Sequence, residues 1–310
     1  MSELRGTFRT FVAFLLFQNF VSAQLVGCED GINCPQDRCI VGNTTNAILG
    51  VTSFDSAISP DGPITWAVGS SATQSPTNLT EDLFVKSFYL GTLPTLQLTN
   101  TTAFSGCALF FEGISKNLPL KYTTEYNTVT CNEVLQASCV NDLLSQATQQ
   151  VQSLAGSPSA TNSSLCKALQ SALQTAPPIS CPPAIGGSWG TVVAREITGL
   201  NAPDPVTLST CHPSTGVDNY RIALIETQSL NAYPNFADSL MSYIYGITPV
   251  LTVFYDQGGE STLLHEPEAH LSCMKVVDGG AAVPFKGGAD RLHSKTCALV
   301  LALAGAVLLL

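Results

Sequence analysis

Positive charge is scarce in this 310-residue chain: 13 Lys and Arg stand against 23 Asp and Glu, a formal net charge of -10. No basic run breaks that balance, so no nucleic-acid partner is expected, because phosphate backbones are held through clustered cations. Charge of either sign is thin at 12%, whereas 45% of residues are hydrophobic. Such a chain can bury a core and is too apolar to stay disordered. Serine, threonine, asparagine and glutamine are left to cover its surface. No apolar run reaches the roughly 20 residues that a spanning helix needs. Internal repeats are absent, and so is HExxH. No Cys or His pair shows zinc-site spacing, so Cys28, Cys34 and Cys39 are expected to staple an N-terminal loop rather than hold a metal. No cofactor is expected.

What is present begins at the two ends. Arg5 and Arg9 precede the short apolar stretch Phe11 to Phe17, and Val21-Ser22-Ala23 satisfies the small-residue rule for a cut before Gln24. Residues 1–23 therefore read as a secretory signal. At the other end, Cys297 to Leu310 is 14 residues without a charge. It lacks the Lys/Arg flank of a cytoplasmic side. A polar spacer, Asp290 to Thr296, precedes it, and the small residues Gly287, Gly288 and Ala289 precede the spacer. Small triplet, spacer and apolar tail are the parts of a glycolipid (GPI) anchor signal. Attachment is expected at Gly287 or Gly288, with 287–310 removed and 24–286 forming the ectodomain. The competing interpretation is an ordinary transmembrane anchor.

Cysteine parity agrees with removal of the tail. Of eleven cysteines, Cys297 lies within it, which leaves ten to pair: Cys28, Cys34, Cys39, Cys107, Cys131, Cys139, Cys166, Cys181, Cys211 and Cys273. Local spacing suggests Cys139–Cys166 as a clamp between two helices and Cys131–Cys181 as the closure of that segment. Four sequons, at Asn43, Asn78, Asn100 and Asn162, fit the same compartment and would place their segments at the surface. Signal, sequons, even cysteines and a short anchor tail together resemble the GPI-anchored surface glycoproteins of filamentous fungi. That resemblance covers the termini and general architecture. It implies the extracellular face of the plasma membrane or the cell wall, with the membrane and wall glycans or other surface proteins as partners.

Between the ends the hydrophobic period changes twice. Ile64 to Val68, Leu83 to Leu90, Leu96 to Thr99 and Ala108 to Phe111 are rich in β-branched and aromatic residues, and Ser59-Pro-Asp-Gly-Pro63 marks a turn. Thr130 and Glu133 then form a capping-box pattern. Val140, Leu143, Leu144, Ala147, Val151 and Leu154 follow at helical spacing, and a second helix is expected over Ser164 to Gln174, stopped by Pro177 and Pro178. Strand signatures return over Gly190 to Ile197, Pro205 to Thr210, Tyr220 to Glu226, Pro249 to Tyr255 and Ala269 to Val277, with a short helix at 236–245. The pattern predicts a mainly β (α+β) fold: an antiparallel, sandwich-like ectodomain with a disulfide-stapled helical hairpin inserted at about 131–181. Strands are not regularly separated by helices, which argues against a parallel βαβ sheet.

Candidate chemistry is sparse. Gly186-Gly-Ser188-Trp-Gly190 matches G-x-S-x-G, but a nucleophile elbow needs a strand before the serine and a helix after it. A flexible loop is expected instead. His265, Glu266, Glu268 and His270 could gather on a divalent cation, although Pro267 opposes a helix and an acidic loop is the plainer expectation. His212 lies in a turn with no partners placed near it. Glu81-Asp82 or Glu266 and Glu268 could supply a glycosidase pair, and Trp66 and Trp189 could stack on sugars, although core burial is the simpler role for both. No catalytic residue is assigned. The expected function is a non-enzymatic structural or recognition role at the cell surface, with a carbohydrate-active enzyme or glycan-binding module as the alternative.

Overall fold

Alternate residues of a strand share one face, and Ile64, Trp66 and Val68 lie on one at 0–1% exposure, with Thr65 and Ala67 between them buried as well. In the computed structural model the described residues are 39–41, 44–46, 48–74, 82–99, 101–112, 129–155, 161–185, 187–206, 221–231, 243, 246–256, 263–276 and 289–291. They form two larger antiparallel sheets and a small two-stranded one. The four-stranded sheet runs β3 (Ile48–Phe54), β4 (Ile64–Gln74), β5 (Asp82–Thr92), β8 (Arg221–Asn231). The five-stranded sheet runs β11 (Ala289–Arg291), β10 (Glu268–Met274), β9 (Thr248–Tyr255), β6 (Ser105–Glu112), β7 (Thr191–Glu196). β1 (Cys39–Val41) and β2 (Thr44–Asn46) pair with each other.

The two larger sheets share one apolar core. Trp66, Phe84, Phe88 and Leu90 from the four-stranded sheet meet Ala108, Phe110, Val250, Phe254 and Met274 from the five-stranded one. Trp66 stands edge-on to Phe110, with ring centroids 5.7 Å apart, and its Nε1 donates to Thr252 Oγ1 at 2.9 Å. Truncating such a buried ring costs about 3–5 kcal/mol. At one side of the stack β3 approaches β10 so closely that a Cβ on Gly50 would run into the backbone carbonyl of Lys275. Only glycine fits there.

Helices come between β6 and β7 in sequence and cover the outer face of the five-stranded sheet. They are α1 (Cys131–Leu135), α2 (Ala137–Ala155), α3 (Asn162–Thr175) and α4 (Pro182–Ile185). Val140, Leu143, Leu144, Ala147 and Val151 of α2, with Leu165, Leu169 and Leu173 of α3, pack on Leu109, Phe111, Leu251, Val253 and Leu271. The Thr130/Glu133 capping box is formed: Glu133 N–H donates to Thr130 Oγ1, and Thr130 N–H donates to Glu133 Oε2 at 2.7 Å. It opens only the short α1, because Gln136 at φ 69° breaks the helix before α2. A second capping box, Thr161/Ser164, opens α3.

Two expectations are corrected. Leu96 to Thr99 is not a strand: Leu96 N–H donates to Leu93 O at 3.0 Å, closing a turn through Pro94 that lays Leu96 and Leu98 on the core. The pairings Cys139–Cys166 and Cys131–Cys181 do not form. Instead Cys107 of β6 joins Cys166 of α3, Cys131 of α1 joins Cys273 of β10, and Cys139 joins Cys181. Cys166 lies on the buried face of α3, which looks at the sheet, so its partner is a strand residue. Cys28, Cys34, Cys211, most of the expected helix at 236–245 and the strand residues 207–210 lie outside the described residues. Cys39 opens β1.

Candidate functional site

Of the residues singled out from sequence and described by the structure, Glu268 and His270 come together and the others do not. Ser188 is exposed in a turn that follows α4 and precedes β7, the reverse of the order a nucleophile elbow needs. Trp189 is fully buried against Phe111, with ring centroids 4.5 Å apart, and Trp66 is equally buried, so both tryptophans belong to the core. His265 and Glu266 are exposed before β10, while Glu268 and His270 point between the sheets. Among the described residues no group of three or more His, Cys, Asp or Glu is arranged for a metal ion.

Glu268 and His270 instead build an internal latch. Glu268 Oε1 lies 2.8 Å from His270 Nε2, and Glu268 Oε2 accepts from Ser56 Oγ and Ala57 N–H, both at 3.0 Å. Phe54 stacks on the imidazole at 4.3 Å. The carboxylate sits between serine and histidine, whereas a nucleophilic triad needs the histidine in the middle. This cluster ties the β3–β4 turn to β10.

Asn162, the one sequon asparagine among the described residues, begins α3 with its carboxamide turned inward. Nδ2 donates to Thr198 O at 3.1 Å, and Oδ1 accepts from Tyr255 O–H at 2.5 Å. Burial raises the Tyr255 phenol above its ordinary pKa, so it remains a donor. Asn43, Asn78, Asn100, Glu81, His212, Gly287 and Gly288 lie outside the described residues, and Asp82 opens β5.

A cluster not visible in the sequence forms where the edge strands of the two sheets lie over one another. β7 is the edge of one sheet and β8 the edge of the other. Arg195 of β7 reaches across to Glu226 of β8, with Nε 2.6 Å from Oε2. Glu112, the last residue of β6, lies on the same face as Phe110, towards the four-stranded sheet. Lys86 of β5 stands opposite Gln228, and Phe88 stands opposite Glu226. Lys86 is fully buried, donates to Gly246 O at 2.6 Å, and lies 5.5 Å from the centre of the Tyr243 ring.

A bulge explains how polar side chains reach this interior. β8 pairs Leu224 with Tyr89 and Glu226 with Phe88, so Ile225 is an extra residue in the ladder. One extra residue inverts the alternation that follows. Without it Glu226 and Gln228 would face outward. With it they are 7% and 8% exposed on the core side, while Thr227 and Ser229 are exposed.

The cluster's groups differ in charge and in partners. Burial raises the Glu112 pKa above the usual carboxylate value; Gln228 and Arg195 oppose that and the Glu226 charge adds to it. Burial also lowers the Lys86 pKa to about 7. The Tyr243 phenol is raised, first by burial and then by the charges of Glu112 and Glu226. The Gln228 side chain hydrogen-bonds Glu112 and so favours its ionised form, whereas the Tyr243 hydroxyl has no hydrogen-bond partner among the described residues. Buried amides and phenols are normally paired. The arrangement offers donors and acceptors from a rim, where the Arg195 side chain is 47% exposed, to an interior at Gln228. No family description, curated protein or solved structure matches this chain, so the site stands on its geometry.

Proposed function

We propose that the chain is an exported, N-glycosylated and GPI-anchored protein of the outer cell surface, with a recognition or structural role rather than a catalytic one. Its ectodomain is taken as a β-sandwich carrying a helical hairpin between β6 and β7. The supporting observation is the set of buried disulfides Cys107–Cys166, Cys131–Cys273 and Cys139–Cys181, which bridge residues 59, 142 and 42 apart. Covalent cross-links of this kind persist in oxidising compartments. They agree with a chain whose cysteines become even in number once the tail is removed. The resemblance of its ends to fungal surface glycoproteins supports the same conclusion. Attachment at Gly287 or Gly288 would also remove β11 from the edge of β10.

Treating intact cells with phosphatidylinositol-specific phospholipase tests the anchor. The expected outcome is release of the folded protein into the supernatant. Retention after both phospholipase and wall-digesting glucanase overturns the anchor.

A carbohydrate-active enzyme is the second reading, favoured by Glu112 and Glu226 sharing one cluster. Burial raises the pKa of the Glu112 carboxyl, as a general acid requires, and Arg195 pairs with Glu226. Release of reducing sugar from wall polysaccharide, abolished by Glu112→Gln, is the outcome that reading needs.

A further inference from the structure

We propose that the Cys107–Cys166 bridge controls the Asn162 sequon, so that sugar reaches this site only in chains where the bridge is open. The inference deepens the N-glycosylation proposed above and rests on it, because only an exported chain meets both a glycosyl-transferring enzyme and an oxidant.

Asn162 is the first residue of α3, behind its N-cap Thr161, and Cys166 follows one helical turn later on the same face. The bridge fixes that turn to Cys107 of β6. Asn162 Oδ1 lies 3.7 Å from the Cys166 sulfur and 3.9 Å from the Cys107 sulfur, so the carboxamide packs directly on the bridge. Its Nδ2 faces Thr198 O at 3.1 Å, Thr198 Oγ1 at 3.3 Å, and both Gly106 O and Glu196 Oε2 at 3.5 Å. Tyr255 O–H donates to Oδ1.

Glycan transfer joins Nδ2 to C1 of a sugar, as C1 leaves its lipid-pyrophosphate carrier and Nδ2 gives up one proton. The nitrogen must therefore be free, and a bulky glycan must have a path to solvent. In the fold Nδ2 is instead surrounded by acceptors from β6, β7 and the residues after β7. The first turn of α3 has to lift off the sheet before transfer, and a bridge four residues away prevents that. Closing the bridge is thiol–disulfide exchange: the two cysteine thiols give two electrons and two protons to the disulfide of an oxidised dithiol carrier.

The order of synthesis makes this bridge an early lock. Cys107 precedes Asn162 and Cys166 follows it by four residues, whereas Thr198 and Tyr255 come 36 and 93 residues later. The bridge is also the stronger tie. Each later hydrogen bond biases closure by about tenfold, while a bridge across 59 residues does so by about a thousandfold through loop entropy.

The test translates the full chain in microsomes, with an established secretion leader fused ahead of it, and reads Asn162 occupancy by peptide mass spectrometry. With glutathione disulfide present, the parent should carry sugar there in fewer than about one chain in ten, and Cys107→Ala/Cys166→Ala in most. Dithiothreitol should bring the parent to the level of that variant. Cys139→Ala/Cys181→Ala removes a different bridge and should stay low. Tyr255→Phe, which keeps the bridge and loses the Oδ1 bond, should stay low as well. The proposal is overturned if Cys107→Ala/Cys166→Ala stays unmodified, or if the oxidised parent is modified as fully as that variant. It is also overturned if Cys139→Ala/Cys181→Ala gains as much sugar, since general unfolding would then expose the site, or if Tyr255→Phe does. The added leader carries the chain into the compartment whatever its own ends do, so failure of the export reading and failure of the gate are separate results.

Discussion

Asn162 shows how one side chain can satisfy a modification motif and yet be committed to the fold. Its amide nitrogen, the atom that would carry a glycan, donates to Thr198 O, and its oxygen receives the Tyr255 hydroxyl. We therefore predict that Asn162 is unmodified in folded, secreted protein, as peptide mass spectrometry would show; full occupancy would contradict the inward geometry. Asn162→Ala should cost about 2–3 kcal/mol in chemical denaturation, because Tyr255 and Thr198 lose a buried partner. Lys86 supplies a pH-dependent counterpart. Its pKa falls to about 7 in the fold against 10.5 when exposed, so the unfolded chain binds the extra proton between those values. Stability should rise with pH through that window, and the penalty is complete below about pH 7. Lys86 lies under Tyr243 and, among the described residues, bonds the Gly246 carbonyl, so replacing it sacrifices little. Lys86→Met should stabilise the protein by about 4 kcal/mol at pH 6, after about 1 kcal/mol is lost at Gly246 O, with the gain shrinking towards pH 10. A gain that does not change between pH 6 and 10 would refute the assignment.

Among the elements, the strands were legible where burial follows the backbone period. Ile64, Trp66 and Val68 announce β4, and the stripe from Val140 to Val151 announces α2. The candidate site was not legible, because the strand expected over Tyr220 to Glu226 carries no local mark of a charge turned inward. Nothing local in that stretch specifies the bulge at Ile225, which arises from pairing with β5. The disulfides were misassigned for a similar reason. Spacing tells that Cys139 and Cys166 sit on helices but not which way each helix faces, and Cys166 faces a strand 59 residues earlier. The Cys131–Cys273 bridge pins α1 to β10 across 142 residues. Replacing both with alanine should lower stability by about 3–5 kcal/mol, measured against the unreduced parent. A change below 1 kcal/mol would mean that α1 docks equally well without it.

Over the whole molecule, the layers are tied by covalent and polar links placed at different sides. The Glu268–His270–Ser56 latch and the close approach at Gly50 hold one side, and the Arg195–Glu226 pair spans the other. The edge strand β7 is shielded by α3, whose Gln170 Nε2 donates to Val192 O at 2.8 Å. Removal of the tail would leave the outer edge of β10 without β11, and amides over 270–272 should then exchange faster in anchored protein than in the uncut precursor. The inward turn of Asn162 has a further consequence in time. Thr198 and Tyr255 are synthesised 36 and 93 residues after it. At about 5–20 residues per second, the asparagine waits roughly 5–19 s before its last partner exists. During that interval an exported chain presents an open acceptor that the finished fold can no longer accommodate. A molecule that acquired sugar there would be diverted from the native state, and in an exported chain the rate of elongation would then bear on how much protein completes the fold.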